Sequence, residues 1–229
     1  ACYKRLKEMA IEKARVDPAA FVEYAIPHEK TKKPIRNEEF HKAWHRFLSS
    51  HRYCIVEASV EHGKTFQTAG RAIWEIGRDP TIRMALISAV DRATIKIGRA
   101  IRRNIDHNPL VHEVFPDLRR SQVKGDPWTI SDMVVDGSGG SAKDPSIQCR
   151  SVGSQDVLGS RLDLVMIDDI LNVTNTRTKI GRDNLEEWME DVVITRVFDD
   201  VESGVYGRIW FIGNPWHVDD QIARLSGLP

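Results

Sequence analysis

Three short runs carry residues whose types and spacing suit chemistry on a polyphosphate. The first is Ala58-Ser-Val-Glu-His-Gly-Lys-Thr65, a turn that follows an apolar stretch and opens into helical spacing over residues 66–78. In a strand–turn–helix of this kind the backbone N–H groups of Ser59, Val60, Glu61, His62, Gly63, Lys64 and Thr65, backed by the helix N-terminus, hold phosphate oxygens. Lys64 then reaches the β- and γ-phosphates of ATP, and the Thr65 hydroxyl sits on Mg²⁺. The second run, Arg161-Leu-Asp-Leu-Val-Met-Ile-Asp-Asp169, is an apolar strand that stops at two adjacent carboxylates. A division of labour is expected there: Asp168 holds Mg²⁺, and Asp169 orients and deprotonates the attacking water. The third run, Arg208-Ile-Trp-Phe-Ile-Gly-Asn-Pro-Trp-His217, is a further core strand that ends at Gly213-Asn214. Asn214 at that tip is placed to contact the γ-phosphate or the attacking water.

The elements that must position these residues are legible from periodicity. Residues 3–25 have helical spacing, with Pro18 as a break or as the first position of a second helix, and residues 27–36 form a basic linker. Residues 38–50 read as a helix with Phe40, Trp44, Phe47 and Leu48 on a shared core face; Asn37, Phe40 and His41, just before the phosphate loop, are candidates for an adenine pocket. Residues 82–88 are an apolar run of the buried-strand type, and 91–107 a helix with Ile97, Ile101 and Ile105 on one side and Arg99, Arg102 and Arg103 beside them. The arginines read as a solvated face or a DNA contact. Residues 115–146 suit a β-excursion, 147–152 another strand and 182–197 another helix. The alternation is that of right-handed βαβ units, which put ligands at the carboxyl ends of the strands. The expected division is a helical appendage and linker over 1–50 and an α/β core over 51–229.

Bulk composition narrows the classes. The 229 residues carry 33 Lys and Arg against 33 Asp and Glu, so no global basic field points to nucleic acid and any such contact must be local. Cys2, Cys54 and Cys149 are widely spaced and form no C-x-x-C pair, which suggests neither a disulfide framework nor a zinc site and fits a reducing cytoplasm. No apolar run approaches the roughly 18 residues of a membrane span, and the N-terminus is polar and basic.

Taken together, the residues from about Phe40 to Leu225 resemble the large terminase subunit, the ATPase motor that packages DNA into viral capsids. The likeness rests on the loop at 58–65, on Gly159-Ser-Arg-Leu-Asp-Leu-Val-Met-Ile-Asp-Asp169, and on Ile212-Gly-Asn-Pro-Trp-His-Val-Asp-Asp220. The resemblance implies a P-loop NTPase of the additional-strand type, a three-layer αβα sandwich with a mainly parallel central sheet. It implies Asp169 as the hydrolytic acid, Gly213-Asn214 as a coupling motif, and ATP and Mg²⁺ as cofactors. Its implied partners are double-stranded DNA, a portal protein, a small terminase subunit and further copies in a homo-oligomeric ring, in the host cytoplasm and on the procapsid. The ending Leu225-Ser-Gly-Leu-Pro229 after a helical pattern, with no room for the family's C-terminal nuclease domain, suggests one domain of a longer protein. The chain also departs from the family. Ser59-Val60 stand where a Pro-Arg pair is frequent, Leu158 where an arginine is, and Asp169 where many members have glutamate. An arginine finger must then come from elsewhere, with Arg161 preferred and Arg150 next. Two other readings remain: a helicase or translocase ATPase of another P-loop family, and a nucleotide-binding assembly module that does not hydrolyse.

Overall fold

The computed structural model describes residues 2–28, 31–138, 144–154, 161–200, 202 and 204–227. Helices α1 (Cys2–Val16), α2 (Pro18–Ala25) and α3 (Glu39–Ser50) precede strand β1 (Tyr53–Glu57), and α4 (Lys64–Arg78) follows it. Then come β2 (Met84–Ser88), α5 (Asp91–His107), α6 (Pro109–Val114), β3 (Asp132–Met133) and β4 (Ile147–Ser151). The chain continues through β5 (Leu164–Asp168), α7 (Val173–Thr176), α8 (Lys179–Trp188), a hairpin of β6 (Asp199–Asp200) and β7 (Val205–Tyr206), β8 (Arg208–Gly213) and α9 (Gln221–Ser226).

Six strands form one sheet in the order β1-β8-β5-β2-β4-β3, parallel throughout except for the β3–β4 pair. Strand β8 is thus inserted between β1 and β5, which is the additional-strand arrangement. Every residue of β2 and β5 is buried, as expected where helices cover both faces; β1, at the edge, alternates. The period of two sends Val56, Met84, Leu86, Leu164, Met166, Trp210 and Ile212 into one core beneath α1–α6. It sends Ala85, Ile87, Val165, Ile167 and Phe211 into a second core beneath α8 and α9.

The N-terminal helices are packed into the first of these cores. Asp17 caps α2 by accepting from the backbone N–H groups of Ala19 and Ala20, with Pro18 preset for the first helical position. Phe21, Val22 and Ala25 are fully buried, and the Trp74 indole donates to the Ala14 carbonyl at 3.1 Å.

Two local expectations are corrected. On α3, Leu48 and His45 are buried and Trp44 packs partly buried against the core, whereas Phe40 and Phe47 remain 38% and 39% exposed, so only part of the expected face is core. The helix read over 182–197 ends as α8 at Trp188, passes through a π-turn over Met189–Val193 and closes in a 3₁₀ turn over Ile194–Arg196. The β-branched run Val192-Val193-Ile194-Thr195 disfavours α-helix. The chain must also return to β5, where the Leu162 N–H donates to the Arg196 carbonyl and the Phe198 N–H to the Leu162 carbonyl.

Close approach of α5 to the excursion before β4 depends on Gly98, where an added Cβ would stand 2.2 Å from the Ile130 carbonyl oxygen. Alanine ordinarily favours a helix interior by about 1 kcal/mol over glycine, but here the backbone clash dominates. Gly98→Ala should destabilise the chain by about 1–3 kcal/mol, read as a lowered urea midpoint; an unchanged or raised midpoint would show that the contact is loose.

Candidate active site

Strand register brings the three runs to one place. Glu57 of β1 is opposite Gly213 of β8, and Ile212 of β8 is opposite Asp168 of β5, so the carboxyl ends of the three strands finish within a residue of one another. The Ala58 N–H donates to the Gly213 carbonyl at 2.9 Å, tying the start of the phosphate loop to β8. The loop then turns through two left-handed residues, Glu61 (φ 68°) and Gly63 (φ 72°), the second being the N-cap of α4. Glycine adopts that conformation without steric penalty; Glu61 adopts it at a cost of about 1 kcal/mol.

Lys64 is buried, and its ammonium donates to the carbonyls of Ala58 (2.9 Å) and Ser59 (3.1 Å), within its own loop. It stands 3.9 Å from Asp169 Oδ1. The neighbouring Thr65 hydroxyl donates to Asp168 Oδ2 at 2.7 Å, with the Thr68 hydroxyl 3.5 Å from Oδ1. Asp168 is only 3% exposed. Burial, with the nearby Asp169 charge adding to it and the Thr65 hydrogen bond opposing it, raises its carboxyl to a pKa of about 6. A buried carboxylate beside a threonine hydroxyl is a hard oxygen donor set, and a divalent cation held by Asp168 and Thr65 fits it.

Asp169 leaves the strand differently. Its N–H still pairs with the Ile212 carbonyl (2.8 Å), but its backbone is left-handed, φ 54°, which turns the side chain out of the sheet and leaves it 44% exposed. A non-glycine residue in this region is uncommon, and such strain gathers at functional sites. The Asn214 amide lies against it. With Nδ2 toward Asp169 Oδ1 at 2.9 Å, the amide oxygen accepts from the Trp216 indole at 3.1 Å; the reverse orientation would set oxygen against oxygen and N–H against N–H.

The aromatic residues before the loop also reach it. His41 Nε2 is 3.0 Å from the His62 carbonyl, and the Phe40 ring packs on His41 (4.1 Å), Trp44 (5.2 Å) and His62 (5.5 Å). Asn37 is instead buried and spent within the fold, its amide donating to the Ala19 carbonyl and accepting from Gln67. Neither arginine singled out from the sequence meets the loop. Arg150 forms an ion pair with Asp132 and donates to the Ser131 and Cys149 carbonyls on the β3 side of the sheet. Arg161 stacks over Phe198 at 5.1 Å, ahead of the first residue of β5 and on the order of 20 Å along the strand from Asp169. Leu158 and Gly159 lie outside the described residues.

Three further residues take part whose roles the sequence does not assign, two of them, Asp219 and Asp220, lying within the motif at 212–220. Thr68 lies one helical turn after Thr65, a spacing that puts both hydroxyls on the face toward β5. Asp220 is fully buried and accepts from four backbone N–H groups, those of Trp216, His217, Ile222 and Ala223, closing the loop after Asn214 and capping α9. Asp219 bridges Arg224 and Arg182, at 2.9 and 3.0 Å, and the two guanidiniums, Arg224 foremost, hold its carboxyl well below the usual carboxylate range.

The raised Asp168 carboxyl has a sign that can be checked. Its pKa is higher folded than unfolded, so its contribution to stability is complete below about pH 4 and is lost as pH rises through about 6. Asp168→Asn should therefore stabilise the ligand-free chain relative to wild type at pH 7, by on the order of 2 kcal/mol in urea titrations, and not at pH 4. An advantage independent of pH would contradict the burial argument.

No family model matches the chain. The large terminase subunit of enterobacteria phage T3 is 29% identical over 133 residues, 57% of this chain and 21% of that protein, so the chain spans about a fifth of the relative's length. Among solved structures, the HK97 bacteriophage large terminase superposes with a TM-score of 0.60 at 12% identity, over 91% of this chain and 40% of that one. A variant of the large terminase ATPase domain from Thermus phage P74-26 does so with a TM-score of 0.53 at 14% identity, over 80% of this chain and 67% of that one. In sequence the chain is thus similar to a large terminase, and in architecture it has the P-loop NTPase fold of the large terminase ATPase domains.

Proposed function

We propose that this chain is the ATP-hydrolysing motor domain of a large terminase, driving viral double-stranded DNA into a capsid. The observation that carries the reading is the convergence of Lys64, the Thr65–Asp168 pair and the Asp169–Asn214 pair at three adjoining strand ends. Phosphoryl transfer asks a protein for positioning and charge more than for covalent chemistry. The loop N–H groups and the α4 N-terminus bind the polyphosphate, and Lys64 exchanges the carbonyls of Ala58 and Ser59 for β- and γ-phosphate oxygens. Mg²⁺, held by Thr65 and Asp168, would neutralise charge on those oxygens. Asp169, turned out of β5, orients the water and takes its proton. Asn214 touches Asp169 and so senses the γ-phosphate side of the site. Phe40 and His41 flank the loop on the side where a base would lie.

Neither Arg150 nor Arg161 faces this site, an arrangement that suits an arginine finger supplied by a neighbouring copy in a homo-oligomeric ring, with Arg161 the exposed candidate. DNA contact fits α5, where Arg92, Lys96, Arg99 and Arg103 recur at four, three and four residues and are all exposed. Arg102, by contrast, pairs with Asp106 at 3.5 Å. The portal protein and small terminase subunit as partners, and the host cytoplasm and procapsid as the place of work, follow from the same reading. Among the described residues no helix is long and apolar enough to cross a membrane.

Two measurements test this. Mg²⁺-dependent phosphate release should fall a hundredfold or more in Lys64→Ala and in Asp169→Asn, roughly the loss that follows removal of one preorganised charge from a phosphoryl-transfer or oxyanion site. Wild-type turnover no faster than the variants would favour a non-hydrolysing binding module. In duplex-DNA titrations, each neutral substitution along the α5 row should reduce the slope of log affinity against log salt by about 0.9; an unchanged slope would remove α5 from the DNA path.

A further inference from the structure

We propose that Trp216 is a positioning residue for the hydrolytic carboxylate, acting through Asn214; the inference rests on the reading of Asp169 as the group that activates water. An asparagine side chain can present either its oxygen or its nitrogen to a neighbour, and the two orientations have nearly the same shape. At Asn214 the choice matters, because only Nδ2 can donate to Asp169 Oδ1, 2.9 Å away, and fix where that carboxylate points. An oxygen in the same place would repel it.

Trp216 makes the choice. The indole N–H can only donate, so the amide atom 3.1 Å from it must be the oxygen, which leaves the nitrogen for Asp169. Lys64 acts weakly in the other direction, since its ammonium lies 3.4 Å from the amide atom that faces Asp169 and would prefer an oxygen there. That contact is long, and the ammonium already has the Ala58 and Ser59 carbonyls at 2.9 and 3.1 Å. The two shorter contacts outweigh it.

The indole is itself held in place, and not by core packing. Trp216 is 46% exposed, whereas Trp210 on the adjoining strand is fully buried. Its backbone N–H donates at 2.6 Å to Asp220 Oδ2, and the same fully buried carboxylate fastens His217 and the first turn of α9. A half-exposed tryptophan anchored by its backbone, with its one polar atom aimed at the site, contributes orientation more than burial. The path Asp169–Asn214–Trp216–Asp220 also joins the carboxylate to the start of α9 by hydrogen bonds alone.

Trp216→Phe keeps an aromatic ring at the position and removes the indole N–H. In the 229-residue chain it should lower kcat about tenfold, the effect of one neutral hydrogen bond, with ADP affinity changed less than about twofold. Because Trp216 acts only through Asn214, adding Trp216→Phe to Asn214→Ala should change kcat no further; effects that multiply, or a Trp216→Phe chain as fast as wild type, would overturn the proposal. Solvent exchange of the Trp216 indole N–H, followed by NMR, gives a second readout that needs no turnover. Exchange should be slow in wild type and fast in Asn214→Ala. Equal rates in the two would overturn the Trp216–Asn214 link, whereas wild-type phosphate release no faster than that of Lys64→Ala, with the exchange difference intact, would overturn the hydrolytic reading alone.

Discussion

The parallel register of β8 between β1 and β5 is the constraint on which the site depends. Side chains along a strand alternate faces, so a slip of one residue would turn Trp210 and Ile212 out of one core and Phe211 out of the other. It would also separate Asn214 from Asp169. The register is fixed by more than the ladder. Arg71 of α4, only 2% exposed, lies 4.7 Å over the Trp210 ring and donates to Glu75, and Glu75 accepts in turn from Arg208 at the start of β8. Further donation from Arg71 to the His45 carbonyl and the Ser49 hydroxyl brings α3 into the same network. The helix that opens with Lys64 and Thr65 is therefore clamped by buried charge to the strand that leads into Asn214. Breaking such a pair from one side leaves an uncompensated buried charge, worth about 3–5 kcal/mol.

Within that frame the site is held in electrostatic tension. Asp168 is buried deeply enough that its proton is retained to about pH 6, and Lys64 spends its charge on loop carbonyls. A divalent cation on Asp168 and a polyphosphate on Lys64 would satisfy both groups at once, which is a physical reason for the site to bind the two together. Asp169 is the contrasting partner, adjacent in sequence yet turned to solvent by its left-handed backbone. Two adjacent carboxylates thus sit in opposite surroundings, Asp168 buried and Asp169 half exposed at a left-handed turn out of β5, an arrangement that suits a cation on the first and water on the second.

Much of this was legible in the residues. Gly63-Lys64-Thr65 and Asp168-Asp169 announce themselves because each ends or follows an apolar run, and the structure joins them through the Thr65–Asp168 hydrogen bond. The strand alternation and the helix over 91–107 follow from periodicity. Other features were not local enough to read. The insertion of β8 between β1 and β5 is a choice of strand order, to which hydrophobic spacing is blind. Arg161 looks close to the Asp168-Asp169 pair in sequence, but strand polarity puts it at the opposite end of β5, and Arg150 is claimed by Asp132 on a short strand that composition barely marks. The exposure of Phe40 and the π-turn after Trp188 depend on what α3 and α8 meet in space. The role of Asp220 is equally three-dimensional, one oxygen capping α9 and the other holding the backbone of Trp216 and His217.

The most direct measurement of the central claim is a crystal structure of this chain with Mg²⁺ and a non-hydrolysable ATP analogue. The account predicts the Lys64 ammonium moved from the Ala58 and Ser59 carbonyls onto the β- and γ-phosphates, the cation on Thr65 and Asp168, and a water between Asp169 and the γ-phosphate. A nucleotide bound elsewhere, with Lys64 still on its own loop and Thr65 still donating to Asp168, would contradict it.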